Sequence, residues 1–479
     1  MRDDISRGKL LFKNIGILTV SNFSSKILVF LLVPLYTSIL SSEEYGTYDI
    51  VYSTIQLLYP IFTLNIADAV MRFSMDQKYN NQVVCSAGYR VLLLGMIPCF
   101  TFMLLSARFH FISAISGYEI LILLYYVFYC TYQFLLQYAK GTERVSDMGI
   151  AGILSTVILV LSCFLFLIIY KTGLKGFYLA NTLAQAVPCI FLSVRLRTYR
   201  LWKIRSTEHG LLSSMFAYSI PLIVTLIGWW VNNTADKYTV VFMCGASAAG
   251  LISIAYKIPS VISVIHSIFV QAWQITAIKE YEKKDVKRFY GKSFSVVNHL
   301  LCIICSIIIL FTKPVGRLLY QKEFFEAWQF VPFLVISCVF NSAAGFLGPI
   351  LAAKKDSKSM ALSALYGSAA NIVLNIGLVY LAGVQGACIA TLISSFIIFY
   401  FRKIACVNDV LFTNNKQTYI IWFLLIAQAV IEIYTHYWYI ELLLIIVIAW
   451  MCRNQIMALY KLLREFMPSA KRKINNGSL

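Results

Sequence analysis

Residues 371–391 read NIVLNIGLVYLAGVQGACIAT, and residues 170–180 read YKTGLKGFYLA. Both carry the frame Tyr-x-x-Gly-x-x-Gly with an alanine four residues on. Tyr170, Gly173, Gly176 and Ala180 form one copy; Tyr380, Gly383, Gly386 and Ala390 form the other, 210 positions downstream. Gly, Ala and Tyr are abundant in the chain, so one match could arise by chance. A second echo argues for duplication: YGTYDIVY, with Gly46 and Tyr52, keeps the spacing of AGLISIAY, with Gly250 and Tyr256, 204 positions apart. Two echoes at nearly equal offsets indicate two homologous halves of about 200 residues each.

Composition places those halves in a membrane. The 479 residues are 59% hydrophobic and 13% charged, and the mean hydropathy is +0.74. Such a chain has too little polar surface for a soluble globule. Apolar runs of about 17 to 25 residues, enough to cross ~30 Å of hydrocarbon, recur along its length. Fourteen transmembrane segments are expected, from 14–39 and 47–71 through 249–277, 359–381 and 384–401 to 438–455. The expected fold is an all-α polytopic membrane protein of two six-helix lobes, with a C-terminal helix pair added. The lobes fall at 1–205 and 206–406, and the helix pair with its basic tail at 407–479. Each lobe begins on the same side and holds an even number of helices, so the two are parallel pseudo-repeats about the membrane normal, arranged around a central cavity.

Basic residues orient the chain, because Lys- and Arg-rich loops stay cytoplasmic. With the N terminus inside, thirty-one of the Lys and Arg residues fall in cytoplasmic segments and six in outer loops. Both termini are therefore expected in the cytoplasm. The +19 net charge then reflects clusters such as RLRTYRLWKIR at 195–205 lying on anionic lipid, and a nucleic-acid partner is not expected. MRDDISRGKLLFKN is charged and runs directly into a long apolar span, so the first helix is expected to act as the insertion signal. Nearly all twelve cysteines lie in apolar helices, which speaks against a disulfide framework.

Several chemistries are missing. No phosphate-cradling G-x-x-x-x-G-K-[ST] is present; Gly291-Lys292-Ser293 resembles its tail, but position 286 is Val. There is no H-E-x-x-H and no Asp cluster to hold a metal beside a sugar nucleotide. The outer loops are short, which disfavours a polymerase or ligase with an outer catalytic face. No cofactor is expected and the chain is not expected to be an enzyme.

The run from Asn371 and Asn375 through Gly383, Gly386, Ala387, Ala390 and Thr391 resembles the N-x-x-x-N…G-x-x-G-A-x-x-A-T signature of the multidrug/oligosaccharidyl-lipid/polysaccharide exporter superfamily. PLYTSILSSEEYGTYDIVYS resembles the first helix junction of its polysaccharide transporter branch, the O-antigen flippases, and TADKYTVVFMCGASAAGLISIAYKI at 234–258 resembles the equivalent junction of the second half. The resemblance spans residues 10–405. It implies a flippase that moves a polyprenyl-diphosphate-linked oligosaccharide, of undecaprenyl diphosphate type, across a bacterial cytoplasmic (inner) membrane by alternating access. It also implies a polysaccharide polymerase and a chain-length regulator as partners. The related lipid II flippase carries a Ser-Arg pair in its first helix; here Ser25 and Lys26 stand at a comparable place, and lysine lacks the bidentate fork of arginine.

An ion at bilayer depth costs ~2.5 to 3.5 kcal/mol on insertion scales and should face a partner or a wet cavity. Lys26 lies near the middle of the first span with no acid within one turn, so it either faces the cavity or pairs with another helix. Arg90 binds substrate or snorkels to the interface. Asp236 and Lys237 are adjacent and cannot pair well with each other, so each needs a group across the cavity. Lys257 is open to the cavity or snorkelling reading. Lys26, Arg90, Lys237 and Lys257 form a sparse cationic series from inner to outer side, a path for an anionic headgroup.

Secondary candidates are Asp49, Gln56, Asp68, Arg72, Asn232, His266 and Trp273. Asp49, Tyr52 and Gln56 form a polar stripe suited to sugar hydroxyls, and Trp229, Trp230 and Trp273 offer faces for pyranose rings. Asp68 and Arg72, four apart on one helix, can satisfy each other. Asn232 and Asn233 extend the polar face beside Asp236. His266 is either a proton switch or a hydrogen-bonded packing residue. Asn371 and Asn375 are read as bridges between helices. Two rivals remain open: a cation drug antiporter of the same fold, which needs acidic cavity residues, and an O-polysaccharide polymerase or ligase.

Overall fold

In the computed structural model, which describes residues 30–76, 78–109, 115–199, 210–412, 415–435 and 437–457, the first glycine of each repeated frame has a positive φ. Gly173 has φ +56° and Gly383 φ +57°. An L-residue pays ~1–2 kcal/mol for a left-handed backbone, so only glycine serves well at these corners. Their neighbours Gly176 and Gly386 are tightly packed: a Cβ on Gly176 would press on Phe166 and Thr172, and one on Gly386 on the Leu378 carbonyl. The frame thus marks a helix start at Gly173 and a helix kink at Gly383.

Hydrocarbon allows a spanning chain to satisfy its amides only within helices or closed barrels, and the described residues form helices with no strand. In chain order these are α1 Val33–Ile39, α2 Ser42–Phe62, α3 Ile66–Ser74, α4 Asn81–Phe109, α5 Glu119–Gly141, α6 Val145–Cys163 with a π-helical continuation Phe164–Ile169, and α7 Gly173–Arg195. There follow α8 Leu211–Cys244, α9 Ala246–Ala255, α10 Lys257–Glu280, α11 Val286–Leu319, α12 Val331–Ala353 preceded by a 3-10 turn, α13 Ser357–Ala405, α14 Asn415–Tyr434 and α15 Trp438–Met451.

Ten helices among the described residues are long and apolar enough to cross a membrane, or eleven when α2 and α3, bent by 60° at a short break, are counted as one span. The expected number was fourteen, and the difference has local causes. The first expected segment begins outside the described residues, and α15 has only 14 residues. The expected eighth segment is divided at Tyr256. Two further expected segments run together in α13, where Gly383, with ψ −138°, marks the kink between them.

Two compact units result: Met1–Val241 with Gly245–Ser253 and Gln321–Glu323, and Phe242–Cys244 with Ile254–Tyr320 and Phe324–Leu479. In the first, α5 packs against α3, α4 and α7, and α6 packs against α7. Aromatic rings fill the space around the start of α7, with Tyr36 stacked on Tyr45 at 5.1 Å and Tyr48 edge-on to Phe177 at 4.6 Å. In the second unit α12 is the central helix, buried along nearly all its length and flanked by α10, α11 and α13. The pair α14 and α15 packs on α11.

The second sequence echo is also a structural contact, within the first unit. Ser41 caps α2 by a reciprocal capping box with Glu44. One turn on, Gly46 meets α9 so closely that a Cβ would collide with the Ala246 carbonyl and lie 2.8 Å from the Gly250 nitrogen. A Cβ on Gly250 would in turn collide with the Ser42 carbonyl and lie 3.2 Å from the Gly46 nitrogen. Small residues let helices approach to backbone contact in a bilayer. The Ser42 and Ser247 hydroxyls, 2.5 Å apart, close the crossing. With the native cysteines replaced, a Ser42→Cys/Ser247→Cys variant should form a disulfide on mild oxidation by copper phenanthroline in air, seen as a linked peptide pair by mass spectrometry; a Ser38→Cys/Ser247→Cys control should not.

Candidate functional site

The break between α2 and α3 is built by four residues. Pro60 lacks an N–H to continue the ladder, and Leu64 and Asn65 both adopt left-handed backbone, φ +51° and +48°. The Asn65 N–H donates to the Pro60 carbonyl at 2.8 Å and the Thr63 hydroxyl to the Tyr59 carbonyl at 2.6 Å, so the interruption is tied down. Two consecutive non-glycine residues in this region cost ~1–3 kcal/mol each, a strain found where a site is being shaped. Gly95 of α4 lies against the break, and a Cβ there would fall 2.5 Å from the Phe62 carbonyl oxygen and 2.8 Å from the Thr63 Cα. Non-helical backbone at membrane depth is tolerated where protein covers it or where it borders a cavity. Both conditions are met here.

The cavity beside the break holds about 320 Å³ and is lined by α2, α3, α5 and α8, towards the lower end of the ~300–1,000 Å³ typical of small-molecule sites. Gln56, Asn65, Gln133, Gln137 and Asn233 line it with amides; Tyr59, Tyr129, Trp229 and Trp230 supply rings; Asp68 supplies its carboxylate. Among the described residues no Lys, Arg or His lines it. Asp68 is held by neutral donors: Gln137 Nε2 lies 2.9 Å from Oδ1 and Asn65 Nδ2 3.0 Å from Oδ2. A carboxylate can accept about four hydrogen bonds, so capacity remains for a ligand. Trp230 Nε1 donates to the Ser53 carbonyl at 2.7 Å, which fixes that ring, whereas Trp229 is 65% exposed. Amides that donate and accept, an exposed Trp229 ring and an acid with no basic partner among the described residues suit a polyhydroxylated, uncharged or cationic ligand.

A second polar cluster lies farther along α2 and α8. Lys237 Nζ sits 2.7 Å from Asp49 Oδ2, and the Ser253 hydroxyl donates to the same oxygen at 2.7 Å. Tyr238 and Thr54 share a hydrogen bond of 2.6 Å. Residues 49 and 53 on α2 thus face 237 and 230 on α8, the register of antiparallel helices. Lys237 and Asp49 neutralise one another, which is how a chain keeps both in the bilayer.

The other sequence candidates are scattered. Gln56 and Asp68 line the cavity, as do Trp229 and Trp230. Arg72 is exposed, and among the described residues no ion pair joins it to Asp68, whose oxygens are taken by amides instead. Arg90 is exposed on α4 and does not line the cavity. Asp236 is buried on α8, and its Oδ1 accepts from the Lys237 N–H at 3.0 Å; Asn232 is half-buried one turn earlier. Lys26 lies outside the described residues.

Lys257, His266 and Trp273 belong to the second unit. Lys257 opens α10 immediately after the break at Tyr256. His266 packs against Gly345, where a Cβ would sit 2.7 Å from its ring. Trp273 is 6% exposed, stacks on Phe346 at 4.2 Å and donates to the Phe346 carbonyl at 2.9 Å, so its face is occupied by the core. Asn371 and Asn375 are buried: Asn371 donates to Ser394 across the Gly383 kink at 3.3 Å, and Asn375 donates to the Asn371 carbonyl at 2.9 Å.

Of the five amide side chains in the cavity, three had no place in the sequence reading: Asn65, Gln133 and Gln137. Gln133 and Gln137 are one turn apart in an otherwise apolar, tyrosine-rich helix, and that spacing is the signal that marks a polar stripe at bilayer depth.

Residues 11–274 match the family described as polysaccharide biosynthesis protein. No curated protein sequence matches the chain. Among solved structures, a lipid II flippase MurJ in an inward closed conformation is similar at TM-score 0.70 and 14% identity, covering 92% of this chain and 100% of that one. An inward-facing multidrug resistance MATE family transporter of the MOP superfamily is similar at TM-score 0.64 and 14% identity, covering 80% and 95%. A MOP superfamily transporter from Pyrococcus furiosus, described as having a binding pocket of reverse polarity, is similar at TM-score 0.55 and 13% identity, covering 82% and 96%. At these identities the likeness concerns the fold.

Removing one member of a buried ion pair strands the other, at a cost of roughly 3–5 kcal/mol. Asp49→Asn should therefore destabilise the detergent-solubilised protein by about that amount in chemical denaturation, and Asp49→Leu combined with Lys237→Met should recover most of the loss.

Proposed function

We propose that this chain, which belongs to the polysaccharide biosynthesis protein family, is a flippase for a polyprenyl-diphosphate-linked oligosaccharide. It carries the repeat unit of an O-antigen, capsule or exopolysaccharide from the inner to the outer leaflet of a bacterial cytoplasmic membrane, exposing its site to each side in turn. The observation that supports this reading best is the cavity at the α2–α3 break, where five amides and four aromatic rings meet. Sugars offer hydroxyls in every direction and C–H faces above and below the ring; amides answer the first, because each donates and accepts, and aromatic rings the second. A broken helix at mid-membrane is where transporters of many folds place substrate.

In this reading the chain makes and breaks no covalent bond. The glycan occupies the cavity, and Lys26 and Arg90 meet the diphosphate from the cytoplasm. Release passes Lys237 and Lys257, Lys237 exchanging Asp49 for the headgroup. Both termini are cytoplasmic, and a polysaccharide polymerase and a chain-length regulator act on the product after its release.

One observation favours a second reading. Asp68, beside Trp229 and Tyr129, is also what a carrier of organic cations would use, and multidrug transporters share the fold.

The leaflet of the lipid-linked oligosaccharide separates the two. In cells depleted of this protein, spheroplasts exposed to a membrane-impermeant glycan label should show the intermediate accumulating unlabelled on the inner leaflet. Normal labelling with restored sensitivity to cationic dyes would favour the exporter and overturn the flippase.

A further inference from the structure

The cavity at the α2–α3 break has a polarity opposite to that of the protein around it. The chain carries 41 basic residues against 22 acidic ones, yet no described basic side chain lines this recess, and its one ion is the Asp68 carboxylate. Two neutral amides hold Asp68 in place, at 2.9 and 3.0 Å. Neither supplies a compensating charge. Arg72, one turn along α3, is exposed, is not paired with Asp68 and does not line the cavity. Lys237, the basic residue of α8 nearest in sequence to the cavity lining, is engaged by Asp49.

An anion entering such a recess meets an uncompensated like charge across short distances of poor dielectric, whereas a cation gains there. The recess therefore suits neither the diphosphate nor an acidic sugar. Building on the glycan-transport reading, we infer that the cavity is a monosaccharide subsite selective by charge: it takes an uncharged or, preferentially, an amino-substituted sugar and rejects uronates. Asp68 is the specificity residue. Gln133 and Gln137 grip ring hydroxyls, and Trp229, with its exposed face, packs on the sugar ring. Since the recess turns away anions, the diphosphate must be bound elsewhere in the protein, so headgroup and glycan are recognised by separate parts of the chain.

Three trisaccharides of matched size test this: a chitosan trimer, cationic; its fully N-acetylated counterpart, neutral; and trigalacturonate, anionic. Binding to the full-length protein in detergent, measured by calorimetry, should rank cationic above neutral by about tenfold, with trigalacturonate undetectable. Asp68→Asn, which removes the charge, should erase the cationic advantage and bring the cationic and neutral trimers within about twofold of each other; Asp68→Glu should restore part of it. Retained binding of the neutral trimer shows that the variant is folded. Equal binding of all three sugars, or an unchanged ranking in Asp68→Asn, overturns the charge selectivity while leaving the transport reading intact. If no sugar binds but tetraphenylphosphonium does, and Asp68→Asn abolishes it, the subsite is overturned together with the glycan reading.

Discussion

No water reaches the hydrocarbon of a bilayer, so a backbone amide that leaves its helix must find its partner inside the chain. At Thr63, Leu64 and Asn65 this chain leaves a helix in the midst of an apolar segment and turns by 60°. Its consequences spread outward. The Asn65 N–H falls back on the Pro60 carbonyl, the Asn65 side chain turns to Asp68, Asp68 recruits Gln137 from α5, and α4 can close on the turn only because Gly95 has no side chain. Four helices are thereby organised around one interruption, and the polar groups it needs are the ones that give the adjacent recess its chemistry.

Charge in this protein is divided by location. The basic excess lies mostly between the apolar runs, and the ions within the helices around the cavity are handled singly. Lys237 is matched to Asp49, with Ser253 completing the carboxylate's shell. Asp68 is matched to amides. A pair of opposite charges and a carboxylate held by neutral donors have different futures when a ligand arrives: the first must be broken to engage it, and the second is already open.

The fold was legible because it rests on signals that a bilayer makes strong. Apolar runs of spanning length, the asymmetry of basic loops and the repeated glycine frame all follow from constraints that act on the sequence directly. The positive φ at both Gly173 and Gly383 gives the reason for a glycine at that position of each frame. Helix breaks were less visible. Tyr256, which divides α9 from α10, carries no mark in composition, and Leu64 and Asn65 are ordinary residues forced into an unusual backbone by their surroundings. The site was legible in part. Gln56, Asp68, Trp229 and Trp230 stood out as polar or aromatic residues in apolar helices, while Asn65, Gln133 and Gln137 acquire their meaning only when α3 and α5 are placed side by side. That Lys237 needs a partner across the cavity was legible from its adjacency to Asp236, but that the partner is Asp49, 188 positions away, was beyond any local reading.

The reciprocal crossing of Gly46 and Gly250 bears on which changes the chain can absorb. Each helix's glycine is the space occupied by the other's backbone, with the contacts exchanged almost residue for residue, Gly46 against Ala246 and Gly250 against Ser42. Neither helix can gain a side chain at this point without displacing the other. Two positions some two hundred residues apart are thereby bound to a single fate, since a change at either is a change in the room left to both.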